Sequence, residues 1–393
     1  MPGNVSGACY HAGTANVKGK LLSGRLGSGN RFGKFPKHAS MHAMIGPEER
    51  GGNGRRGRAT NREIAELAGV SIATVSRVVN GRGDVSDETR ELVQRVVREH
   101  GYSANRSARG LSAGKTGLIG GTVPMVHYPY FSNLLGGVAE ALYEQDMRLV
   151  LCPTLHEHER EVTLLDRLLH GTTDGAVIIL PEESSDELED LLNHGYRFVV
   201  VDPQVPLNER IPAVSAAHTA GADQAMKHLL SLGHKRIGAI TGPRGGKATD
   251  DRRRGYFAAL AEAGIAPDRA LEIESNFELP GGTAAATHLL DLAEPPTAIF
   301  AFNDNMAIGT IRAARARGLR VPEDLSVVGF DDLGEADIVT PALTTIRQPL
   351  AEMGRIAVSL LVRLLDNQRL EALHVELATR LVLRDSTARP QAV

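Results

Sequence analysis

Short apolar runs recur along the chain from Gly117 onwards, and most of them are followed by a segment with helical periodicity. The runs that predict buried strands are Gly117–Val123, Arg148–Cys152, Gly175–Leu180, Phe198–Val201, Arg236–Ile240, Thr297–Phe302 and Leu325–Phe330. The segments that predict helices between them are Phe131–Gln145, Ala220–Leu232, Arg253–Ala263, Gly282–Leu292 and Asn305–Arg317. Strands that alternate with helices are typical of parallel sheets covered on both faces. This many strands in about 270 residues fit two lobes better than one sheet, so the sequence predicts a two-lobed α/β body.

A different pattern, of short amphipathic helices, precedes this body. Thr60 and Glu63 have the spacing of a capping box, which predicts a first helix over Asn61–Ala68. Its apolar face is predicted to include Ile64, Leu67 and Ala68. Gly69 then supplies the left-handed backbone that ends the helix in a tight turn.

A second helix is predicted over Ile72–Asn80, with Ser71 as its cap. Two short helices joined by a glycine turn are typical of the helix-turn-helix, whose second helix enters the major groove of DNA. The alternative is a helical hairpin that binds no DNA. The side chains predicted to face the groove are Ile72, Ala73, Ser76 and Arg77, and those predicted to hold phosphates are Ser71, Thr74 and Asn80. Arg77 is the best candidate for reading a base because its guanidinium fork matches guanine O6 and N7; otherwise these are solvated helix residues.

Two further helical segments complete the predicted head. The first spans about Ser86–His100, and Asn105–Ser112 follows it as a short linker helix. Arg106 and Arg109 in the linker suit contacts with phosphates or the minor groove. The sequence therefore predicts an all-α head, with part of its DNA contact outside the helix-turn-helix.

The stretches "AGVSIATVSRVVNG", "HGY" and "ARGL" resemble the lactose-repressor (LacI/GalR) family of bacterial regulators. Blocks in the body resemble it too, among them "HLLSLGHKRIGAITG", "FNDNMAIG", "VPEDLSVVGFDD" and "RLVLRDST", so the resemblance covers nearly all of residues 60–388. It implies a body like periplasmic sugar-binding proteins, with two lobes joined by three chain crossings. It also implies that paired linker helices enter the minor groove, where Leu111 wedges between base pairs and kinks the duplex. Leu111 as an ordinary packing residue is the alternative.

Ligands of parallel α/β sheets lie at the carboxyl ends of the strands, where this chain places polar and aromatic side chains. The residues predicted to contact a small effector are Tyr130, Phe131, Thr154, Arg252, Asn303 and Asp331, most of them carried over from the resemblance. Such side chains suit a sugar or a related polar metabolite. Helix capping is the alternative role of Asn303 and Asp304.

The chain departs from the family pattern at two places near the predicted cleft. Many members have an aspartate soon after the first strand, where this chain has Met125 or Val126, and many have Asp-Asn where it has Ala217 and His218. These departures argue against transferring a particular sugar from any relative.

The predicted domain organisation follows from these patterns. Residues 1–58 form a disordered, basic, glycine-rich extension, residues 59–103 the DNA-binding head and residues 104–116 the hinge and linker. The N-terminal lobe takes 117–216 plus 344–360, the C-terminal lobe 217–343 plus 361–388, and 389–393 form a tail.

The charged residues are distributed unevenly between the predicted head and the predicted body. Residues 1–115 contain 19 Lys and Arg against 9 Asp and Glu, whereas the whole chain has a net charge of −3. A basic head on an acidic body is expected of a nucleic-acid-binding protein. Residues 1–58 supply most of the excess, however, and they are either a basic arm or an over-extended start that precedes Met41 or Met44.

Other classes of protein fit the sequence poorly. The segment "TGPRGGK" at 241–247 lacks the glycine and hydroxyl positions of a phosphate loop, so a sugar kinase is disfavoured, and "GSGNRFG" at 27–33 lacks dinucleotide-binding spacing. His156 and His158 lack metal-site spacing. We expect no enzyme, cofactor, metal or membrane span, and no secretory signal, which argues against a sugar-binding receptor. Two unrelated cysteines fit the cytoplasm.

The sequence thus predicts a regulator of transcription, by default a repressor, that a small molecule controls. We expect a homodimer, or a tetramer built from dimers, because two heads related by a two-fold axis match pseudo-palindromic operator DNA.

Overall fold

The structure is a computed structural model that describes residues 59–79, 83–100, 102 and 115–391. The chain divides into two compact units, residues 1–102 and residues 103–393. The predicted extension 1–58, most of the hinge 104–116 and the last two residues of the tail lie outside the described residues.

Among its described residues, the first unit contains three helices: α1 (Asn61–Ala68), α2 (Ile72–Val79) and α3 (Asp87–Glu99). The predicted capping box starts α1, and Gly69 ends it with φ of 64°. Each helix contributes to a small core formed by Ile64, Ala65, Ala68, Val75, Val78, Val93, Val96 and Tyr102. Leu67 was wrongly predicted to join this core, because its side chain points away and is 54% exposed.

The second unit is the predicted α/β body. Its helices are α4 (Pro129–Glu144), α5 (His158–Leu169), α6 (Ser185–Asn193), α7 (His218–Ser231), α8 (Lys247–Glu262), α9 (Leu279–Leu290), α10 (Asp304–Ala316), α11 (Gly334–Ile338) and α12 (Leu350–Leu365). Its strands are β1 (Leu118–Val123), β2 (Arg148–Pro153), β3 (Gly175–Ile179), β4 (Phe198–Val201), β5 (Ala213–Ala216), β6 (Ile237–Thr241), β7 (Glu272–Glu274), β8 (Ala298–Ala301), β9 (Ser326–Asp331), β10 (Thr344–Arg347), β11 (His374–Leu377) and β12 (Arg380–Val382).

Two six-stranded sheets define two lobes. The first sheet has the order β11-β5-β4-β3-β1-β2 and is parallel throughout. The second has the order β12-β10-β9-β8-β6-β7, with only β12 antiparallel to its neighbour. The central strands are buried on both faces, as sheets covered by helices require. The predicted fold class is therefore confirmed.

The chain crosses between the lobes three times, after β5, after β10 and after β11. The structure corrects the predicted lobe boundaries at the second and third crossings. Residues 344–347 belong to the second lobe, because β10 pairs with β9, and residues 374–377 belong to the first, because β11 pairs with β5. Both are short strands, and their partners are chosen by tertiary contacts that local sequence does not encode.

Helix α12 packs on α4 in the first lobe through glycines. A β-carbon added at Gly137 would lie 1.9 Å from the carbonyl oxygen of Ala351, and one added at Gly354 would lie 2.4 Å from that of Leu134. This close approach places residues 350–365, which follow the second crossing, firmly in the first lobe.

Candidate functional site

Helix α2 presents one exposed face and one buried face. Val75 and Val78 are buried in the core of the head, whereas Ile72, Ala73 and Arg77 are exposed. The exposed side chains are those predicted to face a major groove. A helix of this length with an apolar back and an exposed front is the arrangement that base readout requires.

Ser71 and Thr74 shape the start of this helix. The Ser71 hydroxyl accepts a hydrogen bond of 3.0 Å from the Thr74 amide and lies 2.9 Å from the Thr74 hydroxyl. The cap satisfies the Thr74 amide, and the start of the helix carries the partial positive charge that attracts phosphate oxygens. Ser76 is half-buried on the same helix. The remaining predicted DNA contacts, Asn80, Arg106, Arg109 and Leu111, lie outside the described residues.

A cavity of about 620 Å³ lies between the two lobes. Five of the predicted effector contacts line it, namely Tyr130, Phe131, Arg252, Asn303 and Asp331. They come from both lobes, since Tyr130 and Phe131 lie on α4 of the first lobe and the other three on α8 and the ends of β8 and β9. The carboxyl ends of the strands thus meet at one cavity, as expected for this fold.

Thr154 does not line the cavity and is only 1% exposed. Its backbone amide donates to the carbonyl of Val123, which extends the sheet beyond β2. The chain then turns through Leu155 and His156, both with positive φ, and it is His156 that reaches the cavity wall. The prediction for Thr154 is corrected, because His156, two residues further on, lines the cavity instead.

Unusual backbone conformations concentrate at this cavity. Nine non-glycine residues in the described part of the chain have positive φ, and five of them line the cavity: His156, Leu180, Asp202, Phe277 and Asp331. Each costs about 1–3 kcal/mol and persists only where the surroundings enforce it. The cavity walls are therefore held in place by the fold around them.

Arg252 is 4% exposed, and its guanidinium group contacts mainly residues of the second lobe. Nη1 donates to the carbonyl oxygen of Phe302, and the guanidinium carbon lies 3.9 Å from the centre of the Phe330 ring. Nη2 lies 3.3 Å from Nδ1 of His218 and 3.8 Å from a carboxyl oxygen of Asp331. Among the described residues, nothing bonds to Nε, which leaves one buried donor for a ligand.

Asp202, which follows β4, has a hydrogen-bond partner at each of its two carboxyl oxygens. One oxygen accepts from the Tyr130 hydroxyl at 2.7 Å, and the other lies 2.8 Å from Nε2 of His218. Burial raises the pKa of Asp202, but the interactions with His218 and Tyr130 outweigh burial and hold the pKa at about 2. Asp202 is therefore a permanent carboxylate near neutral pH.

Asn303 caps α10, as the alternative interpretation proposed. Its side-chain oxygen accepts from the Met306 amide at 2.9 Å, and its Nδ2 donates to the carbonyl of Phe277 at 2.8 Å. Asp304 instead accepts from the Leu333 amide at 2.8 Å and from the Thr345 hydroxyl. Asn303 thus lines the cavity, but its side-chain oxygen and nitrogen already form hydrogen bonds within the protein.

Asp331 sits at the end of β9 and has a different electrostatic environment from Asp202. Burial raises its pKa to about 7, although Arg252 and the 2.6 Å hydrogen bond from Gln348 favour the charged form. Gln348 lies just after β10, at the second crossing. Asp331 can therefore change its charge near neutral pH.

Comparisons with known proteins agree with this arrangement. A family model described as "Bacterial regulatory proteins, lacI family" matches residues 60–105, and one described as "Periplasmic binding protein-like domain" matches residues 226–387. The HTH-type transcriptional regulator DegA of Bacillus subtilis is 35% identical over 329 residues, which are 83% of this chain and 97% of that protein. The chain belongs to the lacI family of bacterial regulatory proteins.

Solved structures of lacI-family proteins share the fold. The structure of the Lac repressor dimer bound to operator and the anti-inducer ONPF matches with a TM-score of 0.77 at 29% identity. The match covers 84% of this chain and all of the Lac repressor chain. A complex of the regulator CelR with cellobiose has a TM-score of 0.64 at 34% identity and the same coverage of both chains. This lacI-family protein is therefore a DNA-binding transcription regulator, as the sequence predicted.

Several residues of the lacI-family cleft were absent from the predicted effector set. Phe277 and Glu278 precede α9, and Tyr128 precedes α4 with its hydroxyl 3.1 Å from a carboxyl oxygen of Glu278. His218 had been noted only as a departure from the family pattern. Phe277 and Glu278 follow β7, a three-residue strand that the apolar runs do not predict, so a search after the predicted strands misses them.

A pair of buried glutamates lies behind the cleft wall of this lacI-family body. Glu161 begins the inner face of α5, accepts from the Glu182 amide at 3.0 Å and is 1% exposed. Glu183 is 2% exposed, and its carboxyl group interacts with that of Glu161. Burial, together with the negative charge of Glu161, raises the pKa of Glu183 to about 8. The pair carries a proton at neutral pH.

Proposed function

We propose that this regulator binds pseudo-palindromic operator DNA as a homodimer and that an uncharged polyhydroxylated effector, a sugar, occupies the cleft. The dimer and operator are supported by the Lac repressor dimer, whose structure was solved on operator. A ligand between the lobes is supported by CelR with cellobiose. The observation that carries the proposal is the cavity of about 620 Å³ lined by residues of both lobes.

DNA readout is assigned to the exposed face of α2. Arg77 contacts a guanine edge, which supplies about 1–3 kcal/mol of discrimination, and Ile72 touches a thymine methyl group. Ser71 and Thr74 lie where they can fix the helix on phosphates, while Ala73 permits close approach. Arg106, Arg109 and Leu111 extend the contact into the minor groove at the operator centre.

The charge of the cavity favours an effector without an anionic group. Four carboxyl side chains line it, those of Glu182, Asp202, Glu278 and Asp331, against the single guanidinium of Arg252. A phosphate or carboxylate would be placed beside these groups in a partly buried space, where repulsion is poorly screened. Hydroxyl groups, in contrast, can donate to the carboxylates and accept from Arg252.

Aromatic rings complete the environment of a sugar. Tyr130 and Phe131 meet edge to face, with ring centres 5.2 Å apart, and Phe277 lies on the opposite wall. Flat apolar rings beside a few fixed polar groups are the usual composition of a small-molecule site.

The same proposal places the protein in the bacterial cytoplasm, where its operator is, and gives the cleft a binding role without catalysis. Repression is its default action. Whether the effector releases the operator or promotes operator binding depends on which arrangement of the lobes the effector prefers.

A thermal-unfolding screen with matched sugars tests the effector class. The probes are ribose, glucose and cellobiose, set against glucose 6-phosphate and gluconate, with operator binding followed by gel shift in parallel. We expect an uncharged sugar to raise the melting temperature and change operator binding, and the anionic compounds to do neither. Stabilisation by the anionic compounds alone would contradict the charge argument, and no stabilisation by any sugar would contradict the sugar assignment.

A further inference from the structure

Asp202 and His218 meet across the first crossing between the lobes. Asp202 follows β4 of the first lobe, and His218 is the first residue of α7, which packs on the second lobe. Their side chains are 7% and 1% exposed, and Oδ1 of Asp202 lies 2.8 Å from Nε2 of His218. This is a buried, charge-assisted hydrogen bond between the two lobes, which are also joined by the more exposed bonds from Tyr128 to Glu278 and from the Lys247 amide to the Gln204 carbonyl.

The neighbours of His218 define which ring nitrogen carries the proton. Arg252 can only donate, so its Nη2 at 3.3 Å requires Nδ1 of His218 to accept. The ring proton is then on Nε2, where it is donated to Asp202, which can only accept when ionised. With the ring proton on Nε2 and Nδ1 as acceptor, His218 satisfies both neighbours at once.

The bonds around His218 form one chain that spans the cleft. It runs from the Tyr130 hydroxyl through Asp202 and His218 to Arg252, and then to the carbonyl of Phe302. Tyr130 and Arg252 both line the cavity, whereas His218 does not. His218 therefore connects cavity residues of the first lobe with those of the second without facing the ligand space itself.

We propose that His218 is a positioning residue that latches the two lobes together in the ligand-free protein. Its bond to Asp202 fixes the opening of the cleft, and its bond from Arg252 holds the guanidinium at the cavity wall. The latch rests on the proposed function only in that Arg252 is taken as an effector contact. An effector that accepts a hydrogen bond from Nε of Arg252 contacts the residue whose Nη2 bonds to His218, so it binds directly beside the latch.

Two substitutions separate the two bonds of His218. In His218→Gln the side-chain amide reaches the position of Nε2 and can still donate to Asp202, but it offers no acceptor at Nδ1. In His218→Asn the amide occupies the position of Nδ1 and can accept from Arg252, but it falls short of Asp202. The latch therefore predicts that His218→Asn frees the lobes and that His218→Gln does not.

The measurement is a distance distribution between spin labels on the two lobes of the full-length protein without ligand. Labels at the exposed positions Asp190 and Ala263, after Cys9 and Cys152 are changed to serine, report the separation. We expect a narrow distribution for the parent and for His218→Gln. For His218→Asn we expect a broader, longer one, with roughly a 10- to 100-fold rise in the ratio of open to latched molecules.

Two further variants keep the experiment decisive. His228 is on the same helix and bonds to the Thr387 hydroxyl at 2.9 Å within the second lobe, so His228→Asn removes a similar bond that does not cross the cleft and should leave the distribution unchanged. Asp202→Ala removes the first-lobe partner of the latch, so it should broaden the distribution as His218→Asn does. It also provides the test if His218→Asn does not fold. Unchanged distances in both His218→Asn and Asp202→Ala, or equal broadening in His218→Gln and His218→Asn, would overturn the proposal. Because no ligand is present, these outcomes are independent of the sugar screen.

Discussion

The buried glutamate pair behind the cleft should make the body less stable as the pH rises. In the folded protein Glu183 has a pKa of about 8, whereas a glutamate of the unfolded chain titrates near its ordinary value of 4.5. Between these values the folded state binds more protons than the unfolded state, so the free energy of unfolding falls with increasing pH. The loss of stability caused by ionising Glu183 in the folded protein is absent below pH 4.5 and complete above pH 8.

Glu183→Gln removes the penalty while keeping the size of the side chain. A pKa raised from 4.5 to about 8 corresponds to at most ~5 kcal/mol above pH 8. The proton shared with Glu161 reduces this, and we expect a stabilisation on the order of 2 kcal/mol at pH 8 that falls to less than about 1 kcal/mol at pH 5. For a unit of this size the melting temperature at pH 8 should rise by about 3 °C.

Thermal unfolding followed by circular dichroism from pH 5 to pH 8.5 measures the difference. Glu159→Gln is the control, because Glu159 lies on the same helix as Glu161 with its side chain on the exposed side. If Glu183→Gln is equal to or less stable than the parent at pH 8, the carboxyl carries no such penalty and the reasoning is refuted.

Four other substitutions test the remaining assignments. Arg77→Ala should cost roughly 1–3 kcal/mol of operator affinity and relax specificity at one base pair, and an unchanged footprint would remove its role in readout. Leu111→Ala should reduce operator bending measured by gel mobility, whereas equal bending would contradict the wedge. Arg252→Ala should abolish the response of operator binding to the effector and leave ligand-free operator binding intact; a normal response would exclude it from the site. Gly137→Ala should lower stability by about 1–3 kcal/mol, because its β-carbon would lie 1.9 Å from a backbone carbonyl of α12, while Gly136→Ala, which has open space, serves as control.

The sequence predicted the fold well where local patterns are strong. The first helix, with its capping box and terminal glycine, was predicted to the residue, and strand β4 likewise, because buried runs of β-branched residues and caps are local features. Short strands such as β10 and β11 were not predicted, nor were the lobes to which they belong. Their sheet membership depends on partners distant in sequence.

The candidate site was predicted in part for the same reason. Arg252 and Asp331 follow strands or begin helices at the carboxyl edge of the second sheet, and the fold brings them to the cavity. His218 is not beside the cavity space, and its importance arises from Asp202 and Arg252 on either side of it. Only the three-dimensional arrangement reveals a residue whose two partners lie 16 residues before it and 34 after it.

The threading of the chain through both lobes has a consequence for how the protein is made. Strand β11 forms one edge of the first sheet and β12 one edge of the second, and both follow all the other strands of the described body in chain order. During synthesis neither sheet can be completed until this C-terminal segment leaves the ribosome, so the lobes finish folding together rather than one after the other. A nascent chain that stops before His374 exposes an unpaired strand edge in each sheet, which invites pairing with other chains.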